Sequence, residues 1–269
     1  MGEGSIFKGG LPEIYERVLV PPLFRPFAAD LLGRARVTRN ERVLDVACGT
    51  GIVSRLALEI VGDGGRVVGV DPSVRMLATG RTVARGVDFR EGDAARLPLA
   101  AGEAFDVVTC HQGLQFFADK PAAVREMHRA LVPHGRVAVG VWLAVKDIPL
   151  VRDLATVFER HFGPVHDLRH SYGDADALRH LLTDAGFRDV QIDRVARTIR
   201  LPGGVASFPM LNAMALAGMN PAAKAMTDEQ RGKILETITR ESDAVLAPYV
   251  DNDDLVFELT SHVGRATRA

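Results

Sequence analysis

Short apolar stretches alternate with helical patterns through the first half of the chain. The apolar stretches are continuous, which is typical of parallel strands that are covered on both faces. Strands are predicted at 42–47, 66–71, 87–90, 105–110 and 136–142. Helices are predicted between them at 51–61, 73–84 and 120–131. This alternation predicts a parallel, doubly wound α/β sheet.

The two ends of the chain follow other patterns. From Leu11 to Arg36, apolar residues recur at helical spacing, with interruptions at Pro21-Pro22 and Pro26. After Trp142 the pattern predicts helices over 147–162 and 174–185, a strand over 188–200, a helical insertion over 201–252 and a last strand from Val256. A strand, a helical insertion and a final strand predict an antiparallel hairpin at one sheet edge, with the insertion lying over the strand ends.

The composition is that of an ordinary globular protein with material for a large core. The chain has 269 residues, of which 47% are hydrophobic and 25% charged, and its net charge is −1. No run of Lys and Arg supports a nucleic-acid partner. No stretch reaches the ~18 apolar residues that cross a membrane, so we expect no membrane partner.

The cysteines and the first residues predict a cytoplasmic protein. Cys48 and Cys110 belong to no Cys-x-x-Cys pair, which makes reduced, buried thiols the expected state and zinc an unexpected one. Residues 1–5 lack the basic and apolar regions of a signal peptide. We therefore expect a cytoplasmic location and no metal.

A strand followed by a small-residue turn is the most informative feature. Val43–Val46 leads into Ala47-Cys48-Gly49-Thr50-Gly51, and glycines in such a turn let a ligand approach closely. This strand, turn and helix form a nucleotide-binding corner in α/β folds. Asp71 ends the next strand, at the distance from which an acid accepts hydrogen bonds from ribose hydroxyls. Together these features predict a nucleoside site.

Five stretches carry a resemblance to a known family. They are 44–51, 68–77 (VGVDPSVRML), 90–97 (REGDAARL), 105–117 (FDVVTCHQGLQFF) and 125–142 (REMHRALVPHGRVAVGVW). In this order and spacing the chain resembles class I S-adenosylmethionine-dependent methyltransferases of type 11, the branch typified by ubiquinone/menaquinone C-methyltransferases. Ala47 stands where that family often has Gly, and His134 where it usually has a Gly-Gly pair.

The resemblance implies a Rossmann-like, doubly wound, seven-stranded, mostly parallel sheet with an antiparallel edge hairpin and a helical lid insertion. The expected organisation is N-terminal helices over 1–40, a cofactor-binding core over 41–200 and 253–269, and the insertion over 201–252. It also implies S-adenosyl-L-methionine as cofactor and a small-molecule methyl acceptor. A monomer or homodimer is expected.

The resemblance further implies a set of cofactor contacts. The expected residues are Asp45, Ala47, Cys48, Gly49, Asp71, Pro72, Met76, Asp93, Ala94, Cys110 and Tyr15. Asp45 would support the loop and the ammonium group, Asp71 the ribose, and Asp93 with the Ala94 N–H the adenine. Other interpretations stay open: Asp45 as a turn cap, Asp71 as a helix N-cap, and Asp93 as a surface turn acid.

The residues after the fourth strand are expected to line the acceptor side. His111 is the best candidate for a base or orienting residue, and the alternative is a histidine of the pocket wall. The expected acceptor contacts are Gln112, Gln115, Trp142, Tyr172, Phe208 and Met210. The loop is not Asn/Asp-Pro-Pro-Tyr/Phe, which argues against methylation of DNA or of protein glutamine.

Several aromatic and methionine-rich stretches allow two interpretations. Tyr15, Phe24 and Phe7 either fold over the cofactor or are ordinary helix-face aromatics. The Met-rich part of the insertion either covers an apolar acceptor or packs on the core. Trp142 either packs the sheet or stacks on the acceptor. The stretch with His161, His166, His170 and Tyr172 is expected to be a solvated or pocket-rim loop.

Two other functions compete with methyl transfer. An NAD-dependent dehydrogenase also uses a glycine loop and a ribose acid, but it requires Gly-x-Gly-x-x-Gly, and Ser54 stands at the third glycine position. A protein that binds the cofactor without catalysing transfer is the other alternative.

Overall fold

One mixed sheet of eight strands forms the centre of the computed structural model, which describes residues 10–269. The strands are β1 Arg42–Val46, β2 Arg66–Asp71, β3 Asp88–Glu91, β4 Phe105–His111, β5 Leu131–Trp142, β6 Phe187–Leu201, β7 Val250–Asp251 and β8 Asp254–Arg268. Their order is β3-β2-β1-β4-β5-β8-β6, and β7 pairs with β8. The sheet has one strand more than the sequence predicts, the two-residue β7.

Pairing directions confirm the mostly parallel sheet and its antiparallel edge. Strands β1 to β5 are all parallel to one another. Strand β8 is inserted antiparallel between β5 and β6. The chain order reverses between β1 and β4, and in such sheets ligands bind outside the carboxyl ends of the strands at that point.

Helices cover both faces of the sheet. They are α1 Leu11–Ile14, α2 Arg25–Arg34, α3 Ile52–Val61, α4 Val74–Val83, α5 Lys120–Ala130, α6 Pro149–Phe162, α7 Ala175–Asp184, α8 Gly204–Ala217, α9 Pro221–Lys224, α10 Asp228–Glu241 and α11 Asp243–Leu246. Short 3₁₀ helices span Leu114–Phe116, Val145–Asp147, Leu168–His170 and Ala247–Tyr249. No helix within residues 10–269 combines the length and the apolar character of a membrane span.

Alternation along the buried strands builds two separate cores. Val43 packs with α2 and α3 on one face, whereas Leu44 packs with α5 and α7 on the other. A third apolar cluster joins α6, α8 and α10. The continuous apolar stretches of the sequence therefore arise because both faces of the strands are buried.

The N-terminal helical segment differs from its prediction. Prolines were expected to interrupt it, but Tyr15–Phe24 is a π-helix that connects α1 to α2 without a break. Pro21 and Pro22 carry no N–H and clash with the preceding turn of an α-helix. The Arg25 N–H donates to the Val20 carbonyl, five residues back, so the wider π geometry carries the prolines.

Strand β5 begins at Leu131, earlier than the predicted strand over 136–142, and includes residues 131–135. Leu131 is opposite Phe105, but Arg136 is opposite Val107, so extra residues bulge out of β5. His134 has a φ of +61° within this bulge. A bulge keeps both ends of the strand paired while it accommodates the additional residues.

Candidate active site

The loop after β1 places backbone groups at the point where the chain order reverses. Ala47, Gly49 and Gly51 have φ values of +57°, +57° and +86°. A Cβ on Gly51 would lie 2.6 Å from Cζ of Phe89, so both conformation and space require glycine there. The loop therefore turns sharply enough to present its backbone to a ligand.

Asp71 holds this loop against the start of α4. Its Oδ2 accepts the Gly49 N–H at 2.9 Å and its Oδ1 accepts the Ser73 N–H at 2.8 Å. Ser73 is the N-cap of α4, since its hydroxyl accepts the Met76 N–H. Asp71 is thus not the N-cap itself. Each carboxylate oxygen keeps a lone pair for a ligand hydroxyl.

Asp45 is a buried carboxyl beneath the same loop. The Ser54 hydroxyl donates to its Oδ2 at 2.6 Å, and the Thr109 hydroxyl donates to its Oδ1 at 3.1 Å. Burial raises the pKa of Asp45 to about 7, against the effect of these two hydrogen bonds. A nearby cation would stabilise the ionised form.

Both cysteines are buried thiols. Cys48 lines the cavity described below, whereas Cys110 is a fully buried residue of β4. Burial raises the pKa of Cys110 to about 12 and also raises the pKa of Cys48. Neither is a nucleophile at neutral pH, since the thiolate is the reactive form.

One cavity of about 480 Å³ joins this loop to an apolar chamber. Its apolar lining consists of Tyr15, Leu19, Leu23, Phe24, Ile52, Val53, Met76, Phe116, Trp142, Val151, Phe208, Ala215, Phe257 and Leu259. Its polar lining consists of Asp45, Asp71, Ser73, His111, Gln112, Gln115, Arg169, His170 and Asn212. Ala47, Cys48 and Gly49 complete the wall on the loop side, and Gly113 the wall beside His111. A largely apolar cavity with a few convergent polar groups is typical of a small-molecule site.

Three residues of the cavity wall each have a buried polar atom that lacks a hydrogen-bond partner among the described residues. These atoms are Nε2 of His111, Oε1 of Gln112 and Oε1 of Gln115. The amide nitrogens of both glutamines are engaged, with Ser261 Oγ at 3.2 Å and the Gln112 carbonyl at 2.9 Å. Buried polar atoms without partners are costly, so these positions suit a polar ligand group.

His111 lies between aromatic rings at the end of β4. Its ring centroid is 6.3 Å from that of Phe24 and 6.4 Å from that of Trp142. Burial lowers the pKa of His111 to about 3, so the ring is neutral at physiological pH. A neutral imidazole can orient a ligand by hydrogen bonding, and its low pKa makes it a weak base in this environment.

Tyr15, Phe24 and Trp142, for which the sequence allows two interpretations, lie close together in the cavity wall. Tyr15 and Phe24 contact each other at 4.9 Å between ring centroids, and both line the cavity. Trp142 packs edge-on against Phe27 at 4.8 Å and lines the cavity as well, so it both packs and faces the chamber. Phe7 lies outside the described residues.

Six of the predicted site residues are not in the cavity wall. They are Pro72, Asp93, Ala94, Cys110, Tyr172 and Met210. Asp93 is exposed in the turn after β3, where its carboxylate accepts the Ala95 N–H at 2.8 Å. The Tyr172 hydroxyl donates to the Ala177 carbonyl, and Met210 contacts the cluster of α6, α8 and α10. The cofactor and acceptor contacts assigned to these six residues stay predictions.

The stretch rich in histidines does not form one loop. His161 lies in α6, where its Nε2 is 3.0 Å from Glu241, whereas His170 is buried and lines the cavity. Among residues 10–269, no group of three His, Cys, Asp or Glu side chains is arranged to hold a metal. Arg169 and Asn212 also line the cavity, and no sequence motif indicated either of them.

Comparison with known proteins decides the family. The methyltransferase-domain family matches residues 44–139. A ubiquinone/menaquinone biosynthesis C-methyltransferase, UbiE of Ectopseudomonas mendocina (strain ymp), is 33% identical over 206 residues, covering 69% of this chain and 75% of the relative. The chain belongs to the class I S-adenosylmethionine-dependent methyltransferases. UbiE of Pectobacterium carotovorum subsp. carotovorum (strain PC1) is 30% identical over 196 residues, 64% of this chain and 74% of that protein.

A solved structure supports the fold of this methyltransferase. The YcgJ protein of Bacillus subtilis superimposes with a TM-score of 0.57 at 20% identity, covering 90% of this chain and 97% of that one. The cofactor of the methyltransferase is S-adenosylmethionine. Family membership excludes the dehydrogenase alternative.

Proposed function

We propose that this methyltransferase transfers a methyl group to a small, largely apolar, ring-bearing acceptor. The observation that carries the proposal is that Asp45, Gly49 and Asp71 line the same cavity as the aromatic side chains of Phe24, Trp142 and Phe208. The insertion of residues 201–252 contributes Phe208 to that cavity, which supports its role as a cover over the acceptor. The proposal covers transfer to oxygen, nitrogen or carbon.

The residues at the loop fit the cofactor. Asp71 has free lone pairs for ribose hydroxyls, and Asp45 offers a buried carboxyl for an ammonium group. We assign Asp93 and the Ala94 N–H to adenine, beyond the cavity wall. S-adenosylmethionine supplies a methyl group on a sulfonium that is already a good leaving group.

We infer that the chamber holds the acceptor in position and excludes water from the reacting atoms. Near-attack geometry and exclusion of water account for much of the rate in such a displacement. Trp142 and Phe24 form apolar walls, and His111 with Gln112 and Gln115 orients the acceptor through the atoms that lack protein partners. His111 acts here as an orienting residue, because its pKa of about 3 makes it a poor proton acceptor.

Calorimetric titration with S-adenosylmethionine and S-adenosylhomocysteine tests the cofactor site. The native protein should bind both in the micromolar range, and Asp71→Ala should abolish binding, because it removes the ribose acceptor and the contact with Gly49. Asp71→Asn, which preserves size, separates the loss of charge from the loss of volume. Glu91→Ala is the matched control, since Glu91 is opposite Asp71 in the register but exposed.

Methyl transfer to phenols, quinones and amines, followed by mass spectrometry, tests the acceptor. Transfer to members of this panel, reduced in Trp142→Ala, supports the proposal. A folded native protein that binds neither cofactor would contradict the site, and transfer only to a macromolecule would contradict the small acceptor.

A further inference from the structure

The wall of the cavity carries a guanidinium group that is held in place by two other residues. Arg169 donates through Nε and Nη2 to the two carboxylate oxygens of Asp167, at 2.8 and 2.7 Å. Its Nη2 also donates to Oδ1 of Asn212 on α8 at 2.9 Å. The Asp167 side chain is only 2% exposed, so the acidic member of this ion pair is buried in the protein. Arg169 is thereby fixed in the cavity wall.

The remaining donors of Arg169 are unused within residues 10–269. All its side-chain hydrogen bonds run through Nε and Nη2, which leaves both N–H groups of Nη1 without a protein partner among these residues. The same cavity wall is formed by Val151, Phe208 and Phe257. A guanidinium N–H beside apolar side chains gains most from an oxygen acceptor on a ligand.

His170 supplies the complementary acceptor. Its Nδ1 lies 2.8 Å from the Leu143 carbonyl oxygen, which can only accept, so Nδ1 carries the proton. Burial lowers the pKa of His170, which keeps the ring neutral and leaves a lone pair on Nε2. A donor and an acceptor therefore come from consecutive residues of one 3₁₀ turn in the cavity wall.

We propose that Arg169 and His170 bind an acidic oxygen substituent of the acceptor, either a phenol-type hydroxyl or a carboxylate. A hydroxyl donates to His170 Nε2 while its oxygen accepts from Arg169 Nη1, and a carboxylate accepts from Arg169. The pair thus selects oxygen-bearing ring compounds among those that fit the apolar chamber. This inference rests on the proposed function, because it takes the chamber as the acceptor site.

A titration with three probes of similar shape tests this inference. The probes are 4-butylphenol, 4-butylbenzoate and butylbenzene, which differ in the oxygen substituent. Binding is followed by the fluorescence of Trp142, the single tryptophan of the chain and a residue of the cavity wall. Each titration is done with and without S-adenosylhomocysteine, and calorimetry of the same complexes checks the optical signal.

In the native protein, at least one oxygen-bearing probe should bind more tightly than butylbenzene. Arg169→Gln should raise the Kd of that probe by about tenfold or more, which corresponds to the loss of a hydrogen bond to a charged group. The Kd of butylbenzene should change by less than about twofold. Whether the phenol or the benzoate is preferred identifies the substituent. Arg129→Gln is the matched control, because Arg129 forms a similar pair with Glu126 at an exposed site.

The double variant Asp167→Asn/Arg169→Gln guards against misfolding caused by an unpaired buried carboxylate. If both variants lower the affinity for all three probes equally, Arg169 only links the turn to α8. If neither variant lowers any affinity, Arg169 and His170 do not contact the acceptor. Either result overturns the inference. Failure of the proposed function appears separately, as absent cofactor binding or absent methyl transfer.

Discussion

At the scale of single residues, the loop of residues 47–51 makes a close contact between Ala47 and Gly113. Ala47 has a left-handed φ of +57°, which costs an L-residue about 1 kcal/mol. A Cβ on Gly113 would lie 2.4 Å from the Cβ of Ala47 and 3.3 Å from Sγ of Cys110. The family's preference for glycine at position 47 thus has a conformational reason, and the missing side chain of Gly113 leaves room for the Cβ of Ala47.

A double-mutant cycle should measure this contact. Gly113→Ala should destabilise the protein by about 1–3 kcal/mol through overpacking, and Ala47→Gly should change stability by less than about 1 kcal/mol, because relief of the positive φ offsets the greater entropy of the unfolded chain. In the double variant most of the Gly113→Ala penalty should disappear. Urea unfolding of the four proteins gives the coupling energy, and additive effects would contradict the contact.

The buried carboxyl of Asp45 makes stability depend on pH. Its folded pKa of about 7 lies above the unfolded value, so the folded state binds more protons between the two. The stability that this group contributes is present below the unfolded pKa and is lost as the pH rises through about 7. Burial of the ionised Asp45 carboxylate therefore lowers the free energy of unfolding at neutral pH.

Asp45→Asn should therefore gain stability relative to the native protein as the pH rises from about 5 to about 8, by an amount on the order of 1–3 kcal/mol. It should also weaken cofactor binding. Urea unfolding at both pH values measures the change. Asp106→Asn is the control, because Arg42 holds the pKa of Asp106 below its usual range and its effect should be constant over this interval. A constant effect for Asp45→Asn would refute the assignment.

At the scale of elements, the π-helix Tyr15–Phe24 and helix α8 lie outside the regular α/β core and both contribute to the wall of the chamber. The π-helix Tyr15–Phe24 lies over the loop and is tied to α3 by an ion pair between Glu16 and Arg55 at 2.6 Å. Helix α8 reaches the chamber through Phe208 and Asn212, and packs through its other side on α6 and α10. Two elements far apart in sequence thus shape one site.

Because α6, α8 and α10 share an apolar cluster of their own, the insertion can be destabilised without disturbing the loop of residues 47–51. Leu216→Ala should cost about 2–4 kcal/mol within this cluster, where Leu216 is 1% exposed. The Kd for S-adenosylhomocysteine should change by less than about twofold, since none of its predicted contacts lies in the cluster, whereas affinity for the best oxygen-bearing probe should fall severalfold.

Hydrogen exchange of the amides in α8 and α10 should also become faster than in the sheet. Met127→Ala is the control, because Met127 is fully buried in the core on the α5 side and should leave both the exchange in α8 and probe binding near native values. A parallel loss of cofactor and probe affinity in Leu216→Ala would contradict the independence of the insertion.

At the scale of the whole molecule, the parallel sheet brings the carboxyl ends of β1 and β4 together. Asp45 and His111 are distant in sequence, but they end at the same crevice because the chain order reverses between these strands. A doubly wound sheet creates this crevice whatever the sequence of its loops. The site is therefore a consequence of topology, and its side chains decide the ligand.

Local patterns in the sequence were enough to determine the strands and helices of the core, the glycine loop, the acid that ends β2 and the family. Strand β7, the π-helix and the bulge in β5 came from the tertiary structure, because they arise where packing overrides local propensity. The chamber of Arg169, His170 and Asn212 also needed the fold. Short periodic patterns specify each element, whereas contacts between residues far apart in sequence exist only once the chain has packed.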